Sequence, residues 1–508
     1  MGSEKIDKLR DKLMTVYVLF YLCIFPMAMH NKYFDIALFR YRLFWIPTFV
    51  YGCIFLVLLL IEWKLFPDRR RKPTFSKQDI FFTVLILEMG ITTLLAPYQY
   101  EAFWGNRGRR MGFFIWAFFY IAYILITRFY HYKEWHLKVI MIAMIFPCIL
   151  GIINFFLLDP FHFFDGVDEK YIYTFASTFG NINTYSAYAG MSTAICTSCF
   201  VLYDKNKICI PSFFMMILTM TAFILSVSDN TVLSALAIFG ILPIIAFTDL
   251  RKMIRYLISL GGFAICMKCA SMIYLSGRWT MNRYGDSMLI DLGGSKAIYI
   301  FLVILFLTTI FLTILKKKGM KLRQNISKTI RIIWGILIIA TIVIGIFIFI
   351  YINTHMEPLN AEKLPQILIF NDAWGTGRGL NWRLCMDYFL HDTSFVRKLF
   401  GNGPDTYFII MMDRYRMVIE QSGYGYLDSA HNEYLEYLVT IGIAGLILYI
   451  IFIFKTIMMG FLSKEKAIKA LSLAIFTYAS QAIVNIAVPI LVPMYIVYIA
   501  IVDGCRKA

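Results

Sequence analysis

Residues 331–352 read RIIWGILIIATIVIGIFIFIYI, twenty-two positions of which only the leading Arg331 is charged. At 1.5 Å per residue such a helix is about 33 Å long. That length crosses the roughly 30 Å hydrocarbon core of a bilayer, which takes about 20 apolar residues. Thirteen further runs of this kind fall near 13–29, 43–62, 80–97, 112–130, 137–158, 184–203, 210–227, 231–248, 254–275, 297–315, 432–456, 467–484 and 487–502. The pattern predicts an all-α integral membrane protein, a polytopic bundle of 12–14 transmembrane helices. The pair after 210 is short enough to be re-entrant.

The composition agrees. The 508 residues are 59% hydrophobic, 17% aromatic and 16% charged, where a soluble domain carries nearer a quarter charged. A net charge of +17 raises the question of nucleic acid. The Lys and Arg, however, sit in short clusters between apolar runs, the pattern of loops facing anionic lipid. Membrane lipids are therefore expected partners, and nucleic acid is not. Ten cysteines lie mostly inside apolar runs, where Cys acts as a small hydrophobe. The pairs Cys196/Cys199 and Cys266/Cys269 fall within helices without a loop-borne partner pair, so no metal is expected there. The N-terminal apolar run to Met29 lacks a small-residue cleavage site and reads as a retained helix.

Orientation follows from the basic clusters. With a cytoplasmic N-terminus, inner segments carry Lys5, Lys8, Arg10 and Lys12, then Arg69, Arg70, Arg71 and Lys72. They continue with Arg251, Lys252 and Arg255, then Lys316, Lys317, Lys318, Lys321 and Arg323, then Lys464, Lys466 and Lys469. An even helix count returns the C-terminal CRKA to the cytoplasm. Three outer segments break the rule: Arg107, Arg109 and Arg110 in one, Arg278 and Arg283 in another, and Arg378, Arg383, Arg397, Lys398, Arg414 and Arg416 in the long segment 353–431. Any one could be a solvated loop residue; the set points to an anionic group bound on the outer side.

Several familiar machineries are missing. There is no G-x-x-x-x-G-K-[ST] loop, no D-x-D pair and no H-E-x-x-H. GNGPDT at 401–406 reads as a turn. His431 stands where the long outer segment meets a new helix, in LDSAHNEYLEYLVTIGIAGL, with Asp428 or Ser429 as its expected cap and Glu433 in its first turn. An unperturbed imidazole there, near 6.5, suits general-base work. Glu88 and Lys268, inside apolar runs, are expected to face the bundle interior and to pair with each other or with backbone. Asn154, Asn181, Asn183 and Asn485 are expected to lock helices together. Tyr98, Trp104, Phe161 and Phe163 fit an interfacial belt.

The run GNGPDTYF followed by SAHNEYLEYLVTIGIAGL resembles the signature of the bacterial O-antigen ligase and O-antigen polymerase superfamily. FNDAWGTGRGLNWRLCMDYF resembles its G-x-x-x-W element, STFGNINTYSAY its G-N-x-N element, and WGNRGRRMG its G-x-x-x-R-x-x-G element. YASQAIVNIAVPILVP resembles its C-terminal helices. The resemblance runs from about residue 100 to 495, with a family-like core at 175–455.

That resemblance implies a GT-C-like glycosyltransferase in the cytoplasmic membrane, with both termini cytoplasmic and its active site on the extracytoplasmic face. It would move a glycan from an undecaprenyl-diphosphate carrier to an acceptor hydroxyl on a glycan or lipid-linked acceptor, without metal or other cofactor. By position, His431 would be the base and Arg378 a diphosphate contact. Arg383, Arg107 and Arg110 would add diphosphate-binding cations, and Asn432, Trp382, Asp229, Asn181 and Asn183 would support them. Guanidiniums fork onto phosphate oxygens, so fixed cations suit a departing diphosphate. The family's Ser-Arg pair near residue 231 is replaced by Asp229 and Asn230, which removes one expected phosphate contact. The chain divides into an N-terminal bundle, 1–352, of about eleven helices, an extracytoplasmic loop, 353–431, with the catalytic elements, and C-terminal helices, 432–508. The rival reading is a secondary transporter or flippase for lipid-linked oligosaccharide, but no repeat relates the two halves.

Overall fold

The structure, a computed structural model, describes residues 3–66, 75–283, 287–355, 364–425 and 427–505. Arg69, Arg70, Arg71 and Lys72, and the last residues of the CRKA tail, lie outside the described residues. Among the described residues, strand is confined to a two-residue antiparallel pair, Phe175–Ala176 with Gly180–Asn181. Everything else regular among them is helix, and each predicted apolar run is helical, with the run 432–456 broken in two.

Among the described residues, eight helices are long and apolar enough to cross a membrane: Ile36–Leu65, Lys77–Leu95, Glu134–Phe155, Asn206–Ile224, Leu250–Ser276, Ala297–Lys317, Gln324–His355 and Gly442–Leu462. Three shorter apolar helices accompany them, Phe113–Phe129, Asn230–Ala246 and Val492–Gly504. This is a multi-pass membrane protein. Its outer surface says so most directly. In the most apolar stretch of Gln324–His355 no residue is buried, and in that of Ala297–Lys317 only 11% are. A helix apolar all round yet uncovered by protein needs lipid as its solvent.

The centre is different. In Ile182–Leu202 every residue but Asn183 is buried. Its sequence, rich in Ser, Ala, Thr and Gly, lets neighbouring backbones approach closely, as small residues do between membrane helices. It packs against Asn206–Ile224, Asn230–Ala246 and Lys466–Gln481. Glu88 and Lys268 do not pair. Glu88 accepts a hydrogen bond from Thr92 Oγ1 at 2.8 Å, and Lys268 Nζ lies 4.6 Å from the centroid of the Tyr299 ring. Each thus finds a partner one turn away or on the adjacent helix, which costs less than bringing two distant charges together in an apolar interior.

Ion pairs sort the chain ends into two sets. Arg10 meets Glu62 at 2.6 Å, Lys133 meets Asp11 at 2.7 Å, Lys205 meets Glu134 at 3.0 Å and Lys466 meets Asp204 at 2.6 Å. At the opposite ends of the same helices, Lys32 meets Asp165 at 3.1 Å and Arg109 meets Asp428 at 3.2 Å. Each pair thus joins segments that lie at the same end of the helices. The second set contains the long loop that follows His355.

The predicted run 432–456 is two helices, Glu433–Thr440 and Gly442–Leu462. The break is built by Gly442, whose φ of +67° is left-handed. A Cβ there would stand 2.4 Å from the Leu399 carbonyl oxygen, so only glycine fits both the bend and the close approach.

Candidate active site

The first of those two helices carries the site. Asn432 caps it: its Oδ1 accepts the amides of Tyr434 and Leu435 at 3.0 and 3.1 Å. The expected caps, Asp428 and Ser429, are used elsewhere, because the chain turns sharply between them and the helix. His431 occupies that turn with a left-handed φ of +48°, and its amide donates to Ser429 Oγ at 3.3 Å. Trp382 Nε1 donates to the Ala430 carbonyl at 3.1 Å, tethering the residue before His431 to the helix Trp374–Asp387. Glu433 is in the first turn, as expected, and is buried there, accepting from Tyr449 Oη at 2.5 Å and Tyr478 Oη at 3.2 Å.

Asp428 reaches across to Arg109. That guanidinium is 2% exposed and lies 3.2 Å from Asp428 and 3.8 Å from Glu436. At that degree of burial an arginine holds its charge only because acids face it. Two do here, and Asp405 adds a third nearby charge. Asp405 itself accepts the backbone amides of Asn106 and Met111 on one oxygen, at 2.7 and 2.8 Å. It thereby pins both ends of the turn that presents Arg109. Burial and the charge of Glu436 push its carboxyl up to about 7. The same GNGPDT turn holds the far end of the His431 helix, since the amides of Asn402 and Gly403 both donate to the Thr440 carbonyl, at 2.9 and 2.8 Å.

Arg378 comes from the other side. Gly375, Thr376 and Gly377 are all left-handed, with φ of +59°, +61° and +91°. This tight turn swings Arg378 into place, where its Nη1 donates to the Gly375 carbonyl at 2.8 Å. Its Nε is buried without a hydrogen-bond partner, and it forms no ion pair among the described residues. The nearest opposing charge acting on it is Asp229, the residue before the helix Asn230–Ala246. Asn183 accepts from Ser228 Oγ at 2.8 Å, and Asn485 donates to the Asn183 carbonyl at 3.2 Å. Asn181 caps Ile182–Leu202 by accepting from the Asn183 amide at 2.7 Å. The asparagines thus fix the helix ends on which Asp229 rides.

These elements converge on His431. Burial and the positive charges of Arg109 and Arg378 push its imidazole down to about 4, with Asp428 opposing them. The unperturbed value expected from sequence does not hold, because burial first, and then the charges of Arg109 and Arg378, disfavour the protonated ring. Conversely, the Arg109 and His431 charges hold the Asp428 carboxyl below its ordinary value. At neutral pH the imidazole is an uncharged proton acceptor beside two fixed cations.

The remaining cations are placed apart. Arg383 is forked onto Asp372, at 2.8 and 2.7 Å, and half-exposed. Arg107 is exposed, and Arg110 turns towards Tyr41. Sequence reasoning could not choose among Arg107, Arg109 and Arg110, and it missed Asp405, Asp428 and Glu436 as partners. One signal was available for Asp405: an acid directly after Gly-Asn-Gly-Pro, in a residue type that tolerates left-handed backbone (its φ is +59°).

Residues 287–450, about a third of the chain, match the family model described as O-antigen ligase. The chain is related to the O-antigen ligases. That O-antigen ligase-type region contains Arg378, Asp405, Asp428, His431 and Glu436, while Arg109 and Asp229 reach the site from outside it. No curated protein and no solved structure matches the chain.

Proposed function

We propose that the protein is an integral-membrane glycosyltransferase that moves a glycan from an undecaprenyl-diphosphate carrier to an acceptor hydroxyl in cell-surface polysaccharide assembly. One observation carries this reading: an uncharged imidazole, His431, held beside two guanidiniums at one end of a membrane bundle. His431 takes the proton from the acceptor hydroxyl. The acceptor oxygen bonds to the anomeric carbon as the bond from that carbon to the diphosphate breaks. Single displacement from the opposite face inverts the configuration. Arg378, with its unpartnered Nε, receives the negative charge that develops on the leaving diphosphate. Arg109, tied to Asp428 and Glu436, supplies a fixed field rather than a fork.

The anion has a second effect on the base. Burial depresses the imidazole and the two guanidiniums depress it further; a diphosphate between them would offset the second contribution and raise the imidazole pKa. Donor binding therefore strengthens the base where it is used. The site end is assigned to the extracytoplasmic face, since the basic clusters at Lys5–Lys12 and Lys464–Lys469 lie at the other.

Purified protein incubated with an undecaprenyl-diphosphate oligosaccharide tests the reading. A ladder from donor alone identifies a polymerase; product only after a separate acceptor is added identifies a ligase. His431→Ala should lose transfer while eluting as folded protein. Undiminished turnover by that variant overturns the scheme.

A further inference from the structure

Arg109 and Arg110 are adjacent in sequence and diverge in space. Arg109 turns to Asp428 and Glu436. Arg110, in left-handed backbone at φ +56°, turns instead into a groove of about 460 Å³ between the helices Ile36–Leu65 and Phe113–Phe129. Tyr41, Arg42, Trp45, Trp104 and Phe114 line it with Arg110. The rings form a continuous wall: Trp104 and Trp45 stand 5.0 and 5.6 Å from Phe114, centroid to centroid. The Arg110 guanidinium carbon lies 5.8 Å from the Tyr41 centroid, and its Nε is buried without a hydrogen-bond partner.

Two cations therefore share one apolar groove, and among the described residues neither is in an ion pair. An anion between two such like charges is favoured by both. Below them the groove opens onto the lipid-facing side of Ile36–Leu65, where Ile46 and Phe49 are 44% and 54% exposed. A free phosphate has no use for this apolar floor. A phosphate bearing a hydrocarbon chain satisfies both parts.

We propose that this groove is a binding site for an anionic glycerophospholipid of the surrounding bilayer. Its phosphodiester lies between Arg42 and Arg110, and one acyl chain runs down past Trp45 and Phe49. The bulk lipid is the occupant because the groove faces sideways into the bilayer, while the neighbouring Arg109 serves the site around His431. The bound lipid also steadies the turn 105–112, and through it Arg109.

The test is retention of lipid by purified protein in native mass spectrometry, with phosphatidylglycerol and phosphatidylcholine offered in equal amount. One phosphatidylglycerol should be retained about tenfold over phosphatidylcholine, given two cations near the headgroup. The Arg42→Gln/Arg110→Gln variant should lose that preference. Should the double variant fail to elute as a single species, Arg42→Gln alone is read, since Arg42 is exposed, and it should weaken the preference severalfold. Equal retention of both lipids, or an unchanged preference in the variants, overturns the site. Displacement of phosphatidylglycerol by equimolar undecaprenyl phosphate overturns the assignment to bulk lipid. None of these outcomes depends on glycan transfer.

Discussion

Arg109 Nη2 stands 3.2 Å from Asp428 Oδ1, joining a turn between two membrane helices to the segment that carries His431, more than three hundred residues later. The pair is asymmetric: the guanidinium is 3% exposed at its side chain and the carboxylate 56%. Removing the buried partner of such a pair typically costs about 3–5 kcal/mol, because acids are left facing an apolar gap. Arg109→Met should lower the thermal midpoint and abolish transfer. Asp428→Asn should cost less stability, because Glu436 still faces the arginine. Equal destabilisation by the two, measured by thermal unfolding in one detergent, would contradict the asymmetry.

Arg378 has the opposite character, a cation without an acid. Arg378→Ala should leave the unfolding midpoint within about 1 kcal/mol of the parent, as it deletes no ion pair, and should remove donor use. Arg378→Lys should recover only part of it, since an ammonium lacks the planar fork. Full activity of the lysine variant would rule out a forked contact.

The depressed imidazole gives a signed pH dependence. His431 titrates near 4 in the folded protein against an ordinary 6.5. Between those values the unfolded chain binds more protons, so the stability from keeping this ring neutral is complete above about pH 6.5 and lost as pH falls towards 4. The kinetic consequence is separate. The acid limb of kcat/KM for donor reports the free enzyme and should lie near pH 4. The limb of kcat, with diphosphate bound, should lie higher. Coincident limbs in the two profiles would show that the donor does not touch the field at His431.

Asp405 is a positioning residue, and its test differs from that of His431. Asp405→Ala leaves the amides of Asn106 and Met111 buried and unpaired, at about 1–3 kcal/mol for each. Stability and transfer should fall together, with a raised KM for donor as the Arg109 turn loosens. Asp405→Asn, which keeps an acceptor oxygen, should restore most of both. A variant with normal KM and lost kcat would place Asp405 in the chemistry instead.

The membrane architecture was legible because a bilayer imposes a length on every apolar run, and RIIWGILIIATIVIGIFIFIYI meets it without help from tertiary contacts. Arg378 was singled out by resemblance alone, and His431 by resemblance and by its position where the long outer segment meets a helix. The pairing of Arg109 with Asp428 was not. It depends on a left-handed turn at Arg110 that splits two adjacent arginines between different neighbours, and spacing carries no record of that. The cap at Asn432 was misplaced for a related reason: the chain kinks at His431, so the nearest Asp and Ser point away from the helix they precede. Glu88 and Lys268 failed to pair because a threonine one turn away and an adjacent ring were nearer than each other.

The helix Gln324–His355 has 32 residues and would be about 48 Å long, well beyond a hydrocarbon core of roughly 30 Å. An upright helix of that length would carry its last turns above the lipid, and there Asn353 donates to the Leu368 carbonyl at 2.8 Å and accepts from the Phe370 amide at 2.6 Å, a few residues before Arg378. In that setting the helix would act as a mast that sets the height of Arg378 over the bilayer. A thicker membrane submerges the mast and lowers the arginine towards the headgroups, so bilayer thickness becomes a variable of the site itself.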